Sequence, residues 1–122
     1  MSEHTEQCVV FYWAKLSERK YPELWLLNSS LNGVKLNMGV AVKAKRSGMK
    51  KGYPDISLPV AKNGFHGLFI ELKVGKNTTT PAQKEWIKRL TEQGYFCEVC
   101  FGAKNAIEVI KNYLQGKNDR SN

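Results

Sequence analysis

Apolar side chains recur three and four residues apart near the start of the chain, at Val9, Val10, Trp13, Ala14 and Leu16. This spacing predicts a helix over 3–19 that Pro22 then stops. Glu23–Asn28 is a short apolar run followed by Ser29-Ser30 and Asn32-Gly33, and it predicts a buried strand. Residues 37–47 mix Val40, Ala41 and Ala44 with basic residues and read as a short helix ending before Gly48. Pro54–Val60 and Gly67–Val74 are strand-like and are joined through Lys62-Asn63-Gly64, a strong hairpin signal. Pro59 pushes the first of these strands toward an edge or a bulge.

The next segment carries its own punctuation. Thr80 suits an N-cap, Pro81 the first helical position, and Gln83 completes a capping box. Ala82, Trp86, Ile87 and Leu90 form the stripe of this helix, and Gly94 ends it. Tyr95–Phe101 reads as a strand. Ala103–Leu114 reads as a last helix, with Ala103, Ala106, Ile107, Ile110 and Leu114 on one face. The strand-helix-strand unit over 67–101 calls for a right-handed parallel crossover. With the hairpin, this predicts an α/β fold, a mixed β-sheet flanked by helices. The expected organisation is one domain over 1–116 and a frayed polar tail over 117–122.

Composition adds a direction. The 122 residues are 42% hydrophobic and 25% charged, ordinary for a globular protein, and no apolar run approaches a membrane span. The opening Met1–Glu6 is polar and acidic, unlike a signal peptide, and three cysteines suit reduced thiols, so a cytoplasmic location is expected. The net charge of +8 points to a polyanionic partner. The excess is uneven: between Glu23 and Asp55 there is no acid, while Lys35, Lys43, Lys45, Arg46, Lys50 and Lys51 lie there. Lys43, Lys45, Arg46, Lys50 and Lys51 are the candidate DNA-binding residues, neutralising phosphates along a glycine-punctuated segment.

The hairpin gathers the candidate chemistry. A turn centred on Asn63-Gly64 makes paired positions sum to about 127, which sets Asp55 opposite Leu72. A one-residue shift sets it opposite Glu71 or Lys73. Glu71 and Lys73 share one face of their strand, while Ile70, Leu72 and Val74 share the core face. Two carboxylates this close repel unless a cation lies between them, and oxygen donors favour Mg²⁺ or Mn²⁺. A neighbouring lysine can help deprotonate water or stabilise charge on phosphate. The plainer reading is a surface ion pair between Asp55 and Lys73.

Gly52-Tyr53-Pro54-Asp55, then Glu71-Leu72-Lys73, then Gln83-Lys84-Glu85-Trp86 and Gly94-Tyr95 resemble the PD-(D/E)xK nuclease superfamily. The closer resemblance is to its virus-type replication-repair nuclease branch, VRR-NUC, which also shows a glutamate and a glutamine four apart on the first helix, as Glu3 and Gln7 are here. The resemblance spans about residues 3–114 and implies a restriction-endonuclease-like core that hydrolyses DNA phosphodiesters with a divalent metal. It implies Asp55 and Glu71 as metal ligands with the Leu72 carbonyl as a third, and Lys73 as the residue that positions or activates water. Glu3 would reach the site from the first helix, with Glu6 as the alternative, and Gln83 would hold the site together. Small members of the branch resemble Holliday-junction resolvases and act as homodimers, often in phages, so branched or duplex DNA and a homodimer are the implied partners. The alternative class is a non-catalytic basic nucleic-acid-binding module.

The remaining motifs carry less. Cys97-Glu98-Val99-Cys100, with His4 and Cys8, could offer zinc ligands, but strand residues three apart point to opposite faces. Trp13, Trp25 and Trp86 lie on apolar stripes and read as core.

Overall fold

The computed structural model describes residues 2–30 and 37–118. Lys35, the Asn32-Gly33 boundary and residues 119–122 of the tail lie outside the described residues. The elements are α1 (Glu3–Leu16), a 3₁₀ turn (Pro22–Leu26), β1 (Asn28–Ser29), α2 (Met38–Arg46), β2 (Ile56–Leu58), β3 (Leu68–Lys73), α3 (Pro81–Glu92), β4 (Phe96–Phe101) and α4 (Gly102–Leu114). The strands form a mixed sheet in the order β1-β2-β3-β4, antiparallel at β1–β2 and β2–β3 and parallel at β3–β4. The expected α/β architecture is therefore present. Among the described residues, no helix is long and apolar enough to cross a membrane.

The core lies on one face of the sheet. Leu68, Ile70 and Leu72 of β3 alternate onto it with Cys100 of β4, under Val10 and Ala14 of α1 and Ala106 and Ile110 of α4. Each fully buried aliphatic side chain contributes roughly 1.5–3 kcal/mol. Buried Tyr113 closes the far end, its hydroxyl donating to the Val60 carbonyl at 2.6 Å. The opposite face is aromatic and only half-covered. Phe69 meets Tyr53 and Tyr95 edge-on, and Tyr53 meets Trp86 of α3 at 4.8 Å.

Three expectations change. Glu23–Asn28 is not one strand. Pro22 opens a 3₁₀ turn, in which Leu24 N–H donates to Tyr21 and Leu27 N–H to Leu24. A three-residue period turns Leu24 and Leu27 inward together and leaves Trp25 76% exposed, so Trp25 is not core. The first hairpin strand shrinks to Ile56–Leu58, because Pro54 and Pro59 have no N–H for the ladder. The start of the tail is tied down: the Asn63 amide donates to the Gly116 carbonyl and, at 2.9 Å, to that of Asn118.

The hairpin register decides where Asp55 lies. Asn63 and Gly64 both have positive φ, as the tightest hairpin turns require, and Lys62 faces Phe65 across them. The turn therefore has the register its sequence predicts. Toward the sheet, Leu58 pairs with Leu68 and Ile56 with Ile70. Leu58 is four steps from Lys62, whereas Phe65 is three from Leu68, so the first arm holds one extra residue. The irregularity sits at Pro59-Val60, where Val60 N–H donates back to Leu58. It shifts the ladder by one and brings Asp55 opposite Glu71 rather than Leu72.

Helix α4 has no side-chain cap of its own at Phe101. Instead Glu6 of α1 accepts from Ala103 N–H at 2.9 Å, a carboxylate at a helix N-terminus. Glu6→Ala should therefore lower stability by about 1 kcal/mol, read as a lower urea midpoint. Glu3→Ala, which leaves this cap intact, should shift the midpoint less.

Candidate active site

Asp55 is held from two sides. Its carbonyl accepts from Ser30 N–H, just beyond β1, at 2.8 Å. Its Oδ2 accepts from Leu72 N–H at 2.7 Å. In a strand, the N–H and C=O of one residue point toward the same edge, so the Leu72 carbonyl opens on the Asp55 side of β3. Asp55, Glu71 and Lys73 are all buried. Lys73 Nζ is 3.8 Å from Glu71 Oε2 and both side chains are almost inaccessible, so the surface-ion-pair reading does not hold.

Gln83 links the capping box to this cluster. Its Oε1 accepts from Thr80 N–H at 2.9 Å while its own N–H donates to Thr80 Oγ1 at 3.2 Å. With the amide oxygen fixed in that way, Nε2 points at Glu71 Oε2 and donates at 3.0 Å. One residue thus caps α3 and orients a buried carboxylate. Glu3, in the first turn of α1, accepts from the Asn77 amide at 3.1 Å, and its charge reaches Glu71. Glu6 is engaged at α4 instead, which separates the two glutamates. The basic residues Lys43, Lys45 and Arg46 of α2, with Lys50 and Lys51 after it, are exposed and lie outside the carboxylate cluster.

Ionising both carboxylates of the cluster is costly. Burial and the adjoining Asp55 carboxylate push Glu71 from the ordinary 4.5 up to about 9; Glu3 adds to this and Lys73 opposes it. With both carboxylates ionised, Glu71 Oε1 is buried without a hydrogen-bond partner. A cation beside it would meet the orphaned oxygen and relieve the repulsion, so the donors present fit a hard divalent metal. Among the described residues, no group of three or more His, Cys, Asp or Glu side chains gathers to hold a metal; the oxygens at hand here are those of the Asp55 and Glu71 carboxylates and the Leu72 carbonyl. Cys97 and Cys100 fall on opposite faces of β4, paired across from Phe69 and Leu72.

The model of the VRR-NUC domain family matches residues 2–104, most of the chain and all of this cluster. The chain belongs to the VRR-NUC family. A solved structure described as a VRR_NUC domain protein is 37% identical and superposes with a TM-score of 0.81, covering 98% of this chain and 92% of that one. None of the curated proteins matches. A VRR-NUC domain implies a nuclease-type function and hence a nucleic-acid substrate. Nucleases of this family are typically dependent on divalent metal.

Sequence reasoning missed the support beneath the VRR-NUC Gly-x-Pro-Asp segment. Trp86 Nε1 donates to the Lys51 carbonyl at 3.0 Å, and the same indole packs on Tyr53. Gly52, at φ +95°, passes so close to α3 that a Cβ would stand 2.7 Å from the Ala82 carbonyl carbon. The sequence signal was available: a tryptophan one turn after Gln83, with a glycine three residues before Asp55.

Two outcomes follow from this geometry. Gly52→Ala should cost on the order of 1–3 kcal/mol through strained backbone and a forced shift of the Asp55 segment, read by urea denaturation. In metal-free buffer, the folded protein holds the Glu71 proton more tightly than the unfolded chain does between pH 4.5 and about 9. Stability should therefore be highest at the acid end of that window and fall as pH rises through it. Glu71→Gln, which cannot ionise, should flatten that slope in melting temperatures measured across the window.

Proposed function

We propose that this protein is a divalent-metal-dependent DNA endonuclease, with Asp55, Glu71 and the Leu72 carbonyl holding Mg²⁺ or Mn²⁺. The observation that carries the reading is the buried Glu71 oxygen without a partner, beside a second carboxylate and beneath a buried lysine. Such an arrangement costs stability as it stands and is made favourable by a cation. When bound, the metal supplies Lewis-acid polarisation of the scissile phosphate.

The chain's own residues do the rest. Asp55, anchored by Leu72 N–H and by Ser30, keeps its carboxylate in place as charge develops. Gln83 prevents Glu71 from rotating out of the site. The Lys73 ammonium lies where it can orient the attacking water and stabilise charge on the phosphate oxygens. Glu3 holds the β3–α3 loop through Asn77 at the margin of the site. Lys43, Lys45, Arg46, Lys50 and Lys51 draw in the phosphate backbone. Branched DNA of the Holliday-junction kind is the substrate class, and a homodimer the expected assembly. Cutting two strands calls for two carboxylate pairs, and each chain supplies one.

Incubation with branched, duplex and single-stranded DNA in Mg²⁺ or Mn²⁺ tests this reading. Asp55→Asn and Lys73→Met should each reduce cleavage by at least about 10²-fold while DNA binding persists. Mn²⁺ should raise the melting temperature of the wild type more than that of Glu71→Ala. Binding without cleavage in either metal would return the chain to the class of basic binding modules.

A further inference from the structure

On the face of the sheet away from the core, α2, α3 and the loop after α2 enclose a groove of about 1050 Å³. Its walls are largely apolar: Ala41 and Met49 on one side, Ala82, Trp86 and Leu90 on the other. Lys45, Lys50 and Lys51 stand along it. Glu85 also lines it, but this carboxylate is paired with Arg89 at 2.6 Å. The charge that remains belongs to the three lysines.

An apolar hollow edged by lysines selects among polyanions. Duplex DNA presents phosphate and sugar outward and keeps its bases stacked inside, so it would meet the lysines and leave the hollow unfilled. A second copy of this chain would bring the same three positive charges against these. Unpaired nucleotides offer both complements at once: flat apolar base faces and one phosphate each. The volume reaches the top of the usual small-ligand range, roughly 300–1,000 Å³, which is room for more than one base.

The groove also adjoins the carboxylates. Trp86 lies about one helical turn, or ~5 Å, beyond Gln83 on α3, and Gln83 holds Glu71. Lys51, whose carbonyl receives the Trp86 indole, leads through Gly52 to Asp55.

We propose that the α2–α3 groove receives an unpaired segment of the DNA strand, bases against its apolar walls and phosphates on Lys45, Lys50 and Lys51. This rests on the nuclease reading above and deepens it. Within branched DNA, the strand the groove engages is one that is unpaired or opened at the branch point, next to the bond that is cut.

The test separates the two readings. Fluorescein-labelled oligothymidylate and a duplex of equal length are titrated into wild-type protein in EDTA, where no cleavage occurs. Ala41→Gln narrows the groove and Met49→Gln makes its wall polar at nearly constant volume; neither changes charge, and both lie outside the carboxylate cluster. The expected result is a roughly tenfold loss of oligothymidylate affinity with duplex affinity unchanged. Equal losses for both ligands, or no loss for either, would overturn the proposal. So would a wild-type dimer that Ala41→Gln converts to monomer in sedimentation, since the groove would then be an interface between copies. Failure of the nuclease reading appears elsewhere, as absence of cleavage in Mg²⁺ or Mn²⁺ with the groove-dependent binding intact.

Discussion

A carboxylate removed from water beside another carboxylate is among the least favourable arrangements a fold can contain, and the centre of this protein is built around one. Glu71 is 2% exposed, has Asp55 against it, and keeps one oxygen without a partner. Lys73 and Gln83 compensate it only in part, both through the other oxygen. The surrounding structure must supply the difference. It does so through the aliphatic layer of Leu68, Ile70 and Leu72 on the opposite face of the same strand. β3 is thus a strand with one face for stability and one for charge, and alternation of side chains keeps the two apart.

The pairing of Asp55 with Glu71 depends on an irregularity. A hairpin regular from Asn63-Gly64 to its open end would set Asp55 against Leu72 and turn its carboxylate toward the aliphatic core. The extra residue at Pro59-Val60 shifts the ladder by one position. Because strand side chains alternate with a period of two, that single step moves Asp55 to the Glu71 face. Bulges re-aim side chains at functional sites in this way. Here the agent is a proline that cannot donate to the ladder.

The helices divide their labour by the same economy of groups. On α1, Glu6 caps α4 across the fold while Glu3 reaches the loop that leads into α3. On α3, Gln83 closes the capping box with one amide atom and holds Glu71 with the other. Trp86 ties the Lys51 carbonyl to α3, and Gly52 lets the chain pass close enough for that bond. The basic segment and the carboxylates are therefore mechanically joined through a single helix, so a disturbance of α3 reaches both.

Local chemistry in the sequence determined the helices, the Asn63-Gly64 turn and the Thr80–Gln83 capping box, because each depends on dihedral preference or on spacing within a few residues; the parallel β3–β4 pairing followed from the order strand, helix, strand and the handedness of crossovers. The order of Gly-x-Pro-Asp, Glu-x-Lys and Gln was likewise legible, and with it the family. The 3₁₀ turn at Pro22–Leu26 was not, since a strand and a three-residue period bury different members of the same apolar run and only the neighbouring core chooses between them. Nor could sequence separate Glu3 from Glu6, which share a helix and diverge only where α4 and Asn77 meet them. The register of Asp55 belongs to the tertiary structure too. The turn fixed one end of the ladder, and the packing of Ile56 and Leu58 onto the core fixed the other. The proline between them absorbed the one-residue difference.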